Sequence, residues 1–170
     1  YQQRWSRAVR MPQTFVMGHM LVVAMLTYFC SLEANACGER IVNNFYAALF
    51  HDLPEVLTRD IVSPVKASVK GLDDLIKGIE DEQMKTVIYP LLPQKWQEEV
   101  EYFTMDEFTS RILVNGKRVI VSSEEINEKY NDGKFYPIDG EIIRGCDHLS
   151  AYMEAYMSIR YGVQSEQMQS

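Results

Sequence analysis

Hydrophobic positions along the chain predict a series of helices, beginning with one that is apolar on nearly every side. This segment runs from Phe15 to Glu33, and its even distribution of apolar residues predicts a helix buried at the centre of the fold. An amphipathic helix is expected from about Glu39 to Phe50, with Gly38 as the break before it. Pro54 then suits the first turn of a further helix, where its missing N–H is not needed.

The middle of the chain predicts two more helices and a β-hairpin. Ser63-Pro64 is a start signal for a helix from about Val65 to Tyr89, and Gln94 to Phe103 predicts another. Residues 111–121 are rich in β-branched side chains around Asn115-Gly116. That dipeptide is typical of a two-residue hairpin turn, because both of its positions tolerate positive φ.

A polar, turn-rich stretch follows the hairpin and continues to Gly140. The last helix is expected from about Glu141 to Tyr161, with Asp139 as its cap. No internal repeat or linker is visible, and 170 residues fit one domain. The pattern therefore predicts a single domain over residues 1–170, all-α in class, with a small β-hairpin inserted near residues 111–121.

Charge and cysteine content indicate which partners and which cellular compartment to expect for this domain. The chain has 24 acidic and 17 basic side chains and a net charge of −7, which argues against binding to nucleic acid polymers. A few local arginines can still hold a small phosphorylated substrate. Three cysteines without paired spacing give no disulfide framework, so we expect a reducing, cytoplasmic location. Cys30, in the apolar segment, is expected to be a small core residue.

The amino-terminal region also has the outline of a secretory signal peptide. Arginines precede the apolar run Phe15–Cys30, and Ala34-Asn35-Ala36 follows it. The run is 16 residues long, short of the ~20 that cross a bilayer, and His19 lies within it. We favour a buried core helix and no association with a membrane. A signal peptide and a membrane anchor are the alternatives.

Candidate chemistry comes from polar residues in helices that should be buried. His19, His51-Asp52 and Asp147 occupy such positions, and imidazoles and carboxylates are costly to bury unless they are paired or bind a metal. If helical geometry continues past His51, Glu55 shares its face. Each residue alone has an ordinary structural role, since a single buried histidine is usually a hydrogen-bonded core residue. Together the four predict a metal site.

Their order, a histidine, then His-Asp, then a distant aspartate, resembles that of the HD-domain metal-dependent phosphohydrolase superfamily. The run HDLPEVLTRD from His51 to Asp60, followed by PVK at residues 64–66, resembles the bacterial 5′-deoxynucleotidase branch. That branch carries HDxxEVLTxD and then PVK. Arg4-Trp5 precede His19 by 15 and 14 residues, which is the spacing typical of the branch. The resemblance covers residues 4–70, and a weaker one covers residues 144–152.

Some positions depart from the family pattern. Met17-Gly18-His19 stands where the family usually has Ala-Glu-His or Ser-Glu-His. The stretch between Asp52 and Asp147 is longer than in the branch, and residues 96–140 resemble nothing in it. These departures leave the predicted metal ligands in place and leave the substrate open.

The resemblance implies an HD-domain helical bundle that holds one divalent metal ion, either Co, Mn, Fe, Zn or Cu. The implied metal ligands are His19, His51, Asp52 and Asp147, a nitrogen and oxygen donor set that suits such ions. Glu55 and Asp60 are the implied catalytic residues, and Arg4, Trp5 and Asp60 are the implied substrate-binding residues. The remaining histidine, His148, adjoins Asp147 and points about 100° away on a helix, which favours a single metal.

The function implied by the resemblance is hydrolysis of (deoxy)ribonucleoside 5′-monophosphates to nucleoside and phosphate. One alternative is an HD-domain hydrolase of another phosphoester or a pyrophosphate. Another is a non-catalytic module in which the metal is structural. The expected partner is a small nucleotide, and a homodimer is suggested by the resemblance alone.

Overall fold

The structure, a computed structural model, describes Arg4, residues 11–58 and residues 71–163. The helices in these ranges are α1 (Val16–Glu33), α2 (Gly38–Phe50), α3 (Glu55–Thr58), α4 (Leu72–Gln83), α5 (Gln94–Thr104), α6 (Ser123–Glu125) and α7 (Gly140–Arg160). Two π-helical turns, Met84–Ile88 and Ile126–Tyr130, continue α4 and α6. Two 3-10 turns occupy Tyr89–Leu91 and Gly133–Phe135. The prediction of an all-α domain with a small hairpin is confirmed.

The hairpin lies where the Asn-Gly pair predicts it. Strands β1 (Arg111–Val114) and β2 (Lys117–Ile120) pair antiparallel, with Val114 opposite Lys117. Asn115 has φ 51° and Gly116 has φ 72°, so both turn residues take the left-handed conformation that a type I′ turn requires. This turn fixes the register of the two strands.

Helix α1 is only half buried, so the prediction of burial on all sides is wrong. It packs on α2 and α7 through a stripe that includes His19, Val23 and Thr27. The opposite face remains exposed although it is apolar, and Met17 is 72% exposed. By length and composition α1 could cross a membrane, with a mean hydropathy of 1.5, but 39% of it is buried inside the protein. Two neighbouring helices cover only one side of a third, whatever the composition of its other side.

Cys30 is exposed, so the expectation of a core residue is also wrong, although it follows Val23 by seven residues and so lies on the packed side of α1. Its Sγ is 3.7 Å from the Sγ of Cys146, which is buried on α7, and the two cysteines form no disulfide. Burial is the main reason that the pKa of Cys146 is raised to about 11. This thiol is therefore protonated at neutral pH.

The main core lies where α1, α2, α5 and α7 meet. Small residues of α2 allow close approach of α1, and larger side chains fill the space toward α5 and α7. The buried members are Val23, Ala24, Ala47, Ala48, Phe103, Ile138, Ile143 and Cys146. This core brings the end of α2 and the middle of α7 against the buried stripe of α1.

Two segments differ locally from the sequence expectation. The stretch after the hairpin was expected to be irregular, but it contains α6. Ser122 begins α6 with a capping box, in which its hydroxyl accepts from the N–H of Glu125 and the Glu125 carboxylate accepts from the N–H of Ser122. The S-x-x-E signature for this start is present in the sequence. The helix expected from about Val65 is described from Leu72 onward as α4, in which Ile76 is buried whereas Leu75 is 62% exposed.

A buried polar network joins α2 to the beginning of α7. Asp139 caps α7 by accepting from the N–H of Ile142 at 3.2 Å, which confirms the predicted cap. Its other oxygen accepts from Arg40 of α2, and both side chains have no solvent exposure. Asn44 of α2 accepts from the N–H of Asp139 at 2.8 Å, and Asn127 accepts from Arg40 at 2.7 Å. The network therefore fixes one end of α7 on α2.

Gly140, the first residue of α7, is packed too closely for a side chain. A Cβ at this position would lie 2.3 Å from the carbonyl carbon of Phe108 and 2.5 Å from the backbone nitrogen of Thr109. Because backbone atoms cannot rotate away, the loop at residues 108–109 rests directly on the first turn of α7.

Substitution of Gly140 by alanine tests this contact. We expect Gly140→Ala to lower the free energy of unfolding by about 1–3 kcal/mol, because the added methyl group must displace backbone. Gly145→Ala in the same helix is the matched control, since its Cβ would meet nothing within 4 Å. That change should be neutral or stabilising by up to about 1 kcal/mol. Urea denaturation of both variants is the measurement, and equal effects would contradict the close approach.

Candidate metal centre

Three separate helical elements bring histidine and acidic side chains to one buried point. His19 comes from α1, His51 is the residue that ends α2, and Asp147 comes from α7. Each offers one ligand atom, and these atoms all lie within 4.8 Å of one another. The two histidines are 1% and 3% exposed. We call this cluster, together with the adjoining Asp52, the metal centre.

The distances within the centre are those of closely packed donors. The His19 Nε2 lies 2.8 Å from the Asp147 Oδ1, and the His51 Nε2 lies 3.8 Å from the same oxygen. Asp52 lies at the edge, with its Oδ1 3.2 Å from the His51 Nε2 and its Oδ2 3.9 Å from the His19 Nε2. The structure therefore brings together all four residues that the resemblance implies as ligands.

Hydrogen bonds on the outer side of each imidazole set its orientation. The His51 Nδ1 donates to the carbonyl oxygen of Ala48 at 2.7 Å. The His19 Nδ1 lies 3.0 Å from the Glu154 Oε1 and 3.1 Å from the Ser150 hydroxyl. With Nδ1 engaged in this way, both rings turn Nε2 toward the centre, which is the arrangement of histidines that bind metals.

The electrostatics of the centre favour positive charge. Burial opposes protonation of His51, but the Asp52 and Asp147 carboxylates outweigh it and raise the pKa of His51 to about 9. Burial alone would raise the pKa of Asp147, yet the bonds from His19 and His51 lower it far below the usual value. The Asp147 carboxylate therefore stays ionised beside the two imidazoles.

The residues present fit a divalent metal. Two imidazole nitrogens and two carboxylates form a donor set suited to borderline ions. The His51 Nε2 is buried and meets no hydrogen-bond criterion among the described residues, although carboxylate oxygens of Asp52 and Asp147 lie 3.2 and 3.8 Å away. A buried polar atom without a partner is costly, and metal coordination removes that cost.

Arg4 lies against the acidic side of the centre. Its Nη1 is 3.2 Å from the Asp52 Oδ2, its Nη2 is 3.8 Å from the Asp147 Oδ1, and its Nε is 3.6 Å from the Glu154 Oε2. Arg4 is 8% exposed, so this guanidinium is mostly shielded from water. It stands close enough to the centre to contact an anion bound there.

The other implied site residues are less defined. Glu55 is the first residue of α3 and half-buried, and its N–H donates to the carbonyl oxygen of Asp52 at 3.1 Å. The helix does not continue from His51 to Glu55, because α2 ends at Phe50. Trp5 and Asp60 lie outside the described residues. His148 is exposed on α7 and is not part of the described cluster.

Sequence analysis missed Glu154 and Ser150, which orient His19. Both lie on the same face of α7 as Asp147, with Ser150 three residues and Glu154 seven residues beyond it. A helix repeats its face at this interval, so the stripe Asp147, Ser150, Glu154 could have been found as polar residues on a buried face.

The fold and the site define a class of protein. It is a helical domain with a buried centre of two histidines and two aspartates from separate elements. The chain belongs to the HD domain family, whose model matches residues 1–170. Its fold is similar to that of an HD-domain phosphohydrolase from Listeria innocua, with a TM-score of 0.69 and 17% sequence identity. The match covers 98% of this chain and 68% of that one, and at this identity it establishes the fold. No curated protein matches this chain.

The role of Glu154 behind His19 leads to a prediction about metal affinity. Glu154→Gln should weaken binding of a divalent ion by about 10–100-fold, because the carboxylate that orients and polarises the imidazole is lost. Glu99→Gln, an exposed position on α5, is the control and should leave affinity unchanged. Competition against a chromophoric chelator measures both. Unchanged affinity in the Glu154 variant would mean that the bond to His19 does not support a ligand.

Proposed function

We propose that the protein is a metal-dependent phosphohydrolase that acts on nucleoside 5′-monophosphates, with preference for deoxyribonucleotides. The observation that carries the proposal is the convergence of His19, His51 and Asp147 beside Asp52, with the Arg4 guanidinium next to them. Membership of the HD domain family supports metal-dependent hydrolysis, as does the similar fold of the Listeria protein described as an HD-domain phosphohydrolase. The nucleotide specificity rests on the sequence motifs around Arg4 and His51.

The proposed metal ligands are His19, His51, Asp52 and Asp147. One divalent ion at this position would lower the pKa of a bound water toward ~7 and polarise a phosphoryl oxygen. The ionised carboxylates balance the charge of the ion, and the bonds from Ala48 and Glu154 hold the two imidazoles in place.

The remaining roles are proposed for Arg4, Glu55, Asp60 and Trp5. Arg4 has the planar donor geometry that binds two phosphate oxygens at once, and from the carboxylate edge it would hold the phosphate at the centre. Glu55, at the start of α3, is proposed to take or give the proton of the attacking water. Asp60 is proposed to orient substrate and water, and Trp5 to lie near the sugar.

A substitution of Glu55 distinguishes a role in the chemical step from a role in binding the metal. Glu55→Gln should lower turnover by about 10²–10⁴-fold, the usual contribution of a general acid or base, and leave the metal content unchanged. Glu98→Gln, an exposed position on α5, should retain full turnover. Loss of metal from the Glu55 variant would make it a ligand instead, and normal turnover would remove it from the mechanism.

A panel of mononucleotides assayed with cobalt or manganese tests the substrate. We expect 5′-deoxyribonucleotides to be hydrolysed about 10–200-fold faster than 5′-ribonucleotides, the range that a packing clash with a hydroxyl gives. Little action is expected on 3′-phosphates. Trp5→Ala should narrow the deoxy/ribo ratio, whereas Arg4→Ala should weaken both substrates alike. Equal rates would exclude the deoxynucleotidase assignment, and no phosphate release at all would favour a hydrolase of another phosphoester or a pyrophosphate.

We also propose that a second copy of the chain covers the exposed face of α1. This face carries large apolar side chains along the whole helix and no charged residue between Val16 and Leu32. Its members are Met17, Leu21, Val22, Met25, Tyr28, Phe29 and Leu32, each 40–72% exposed. Together they expose roughly 600 Å² by typical side-chain areas, at the upper limit of patches on monomers.

A symmetric pairing of two such faces covers the patch on both copies at once. Helix α7 packs on α1 and also exposes apolar residues, among them Tyr152 and Met153. When these residues are included, the exposed apolar area approaches the roughly 800 Å² per partner that a stable interface buries. The net charge of −7 disfavours the alternative, an anionic membrane surface. We also propose a cytoplasmic location, because the spacing of the three cysteines gives no disulfide framework.

Light scattering after gel filtration tests the pairing. The protein should elute as a dimer, and Met25→Glu should convert it to a monomer because a charge cannot be buried in the interface. Ile120→Lys, at a 67% exposed position on the hairpin, should leave the dimer intact. A monomer at all concentrations would contradict the proposal. Sedimentation with phosphatidylglycerol vesicles would instead assign the face to a membrane.

A further inference from the structure

An open cleft of about 560 Å³ lies between α7 and the loop that rests on it. Its walls are formed by Phe108, Thr109 and Ser110 on one side and by Arg144 and His148, one turn apart on α7, on the other. The volume falls within the range of about 300–1,000 Å³ that is usual for small-molecule sites. None of these residues belongs to the metal centre.

Arg144 differs from the other described arginines in its lack of a polar partner. Arg40 pairs with Asp139, Arg111 donates to backbone carbonyls, and Arg118 pairs with Asp106. Within the described ranges Arg144 forms neither a hydrogen bond nor an ion pair, although Glu141 lies on the same wall of the cleft. Its guanidinium lies over the Phe108 ring, 5.6 Å from the centroid. Its donors are therefore available to a ligand.

Phe108 links this arginine to the metal centre. Its ring centroid is 6.0 Å from that of His51 and 5.6 Å from the Arg144 guanidinium carbon. These two distances place the guanidinium within about 12 Å of the His51 ring. On α7, Asp147 follows Arg144 by three residues, so the two lie about 4.5 Å apart along the helix axis. One small molecule can therefore reach both places.

We propose that Arg144 binds a second phosphate of the substrate, so that the cleft selects bisphosphorylated molecules such as nucleoside 3′,5′-bisphosphates. This inference rests on the proposed function, since the first phosphate is taken to lie at the metal centre. A guanidinium packed beside an aromatic ring leaves N–H donors for a ligand, and its planar edge matches phosphate in a bidentate manner. Arg144 is in this proposal a specificity-determining residue with no part in the chemical step.

Titration calorimetry with adenosine 3′,5′-bisphosphate and adenosine 5′-monophosphate tests the proposal. Cobalt-loaded protein carrying Glu55→Gln is used, so that turnover does not disturb the heats. The bisphosphate should bind at least about tenfold more tightly than the monophosphate, as expected for an added charge-assisted contact. Arg144→Ala in this background should remove that difference and change the affinity for the monophosphate less than about twofold.

Two further variants define the contact. Arg144→Lys should retain only part of the preference, because an ammonium cannot bind two oxygens in a fork. Arg160→Ala is the matched control, an exposed arginine of the same helix outside the cleft, and should retain the full preference. Equal affinity for the bisphosphate and the monophosphate would overturn the proposal. An equal loss of affinity for both nucleotides in Arg144→Ala would overturn it as well.

The two proposals can fail separately. If no mononucleotide is hydrolysed but the bisphosphate preference depends on Arg144, the activity assignment fails and the second phosphate site stands. If 5′-monophosphates are hydrolysed but Arg144→Ala leaves the bisphosphate affinity unchanged, the second phosphate site fails and the activity stands. Failure of the bisphosphate to bind at all overturns the second site directly.

Discussion

The buried ion pair between Arg40 and Asp139 determines where the metal centre can form. Arg40 lies near the beginning of α2, and His51 ends the same helix about 16 Å further along. Asp139 caps α7, and Asp147 follows about 12 Å along that helix. Because each helix is rigid, joining their near ends through Arg40 and Asp139 restricts where His51 and Asp147 can meet. A polar contact remote from these two residues therefore contributes to their placement, together with the packing of α1 on both helices.

Most of the remaining donors and acceptors of this pair have partners, although the buried Arg40 Nε has none among the described residues. Ser110 and Ser123 donate to the Asp139 carboxylate, and Asn127 accepts from Arg40. Removal of one member of a buried pair typically costs about 3–5 kcal/mol, since the other charge is left without compensation. The network therefore holds α7 on α2 in a defined orientation, whether or not it stabilises the fold more than apolar residues would.

A second buried arginine, Arg111, positions the cleft in a comparable way. Its guanidinium donates to the carbonyl oxygens of Tyr102, Phe103, Asp106 and Thr109, which fixes the loop between α5 and β1. Burial lowers its pKa to about 10, so it remains charged at neutral pH. The loop in turn holds Phe108 between His51 and Arg144. The hairpin thus contributes to the site through its first residue, although its turn is distant.

The sequence predicts those features whose causes are local. The Asn115-Gly116 turn, the Asp139 cap and the lengths of α1, α2, α5 and α7 follow from propensity and periodicity within a few residues. The convergence of His19, His51, Asp52 and Asp147 was predictable because histidines and aspartates on apolar helices must be paired or bind a metal to be buried. The exposed face of α1 was not predictable, because the number of helices packed around it depends on the tertiary arrangement. Glu154 was missed for a related reason, since its importance depends on the crossing of α1 with α7.

The distinction between features with local causes and features that depend on the tertiary arrangement applies to function as well. The candidate metal centre is built from residues that the family motif specifies. In the proposed reaction, discrimination among phosphoesters must come from groups that contact the rest of the substrate. The groups proposed for this are Phe108 and Arg144, which the long stretch between Asp52 and Asp147 brings near His51. The segment that departs most from the family pattern therefore forms one wall of the cleft beside Arg144.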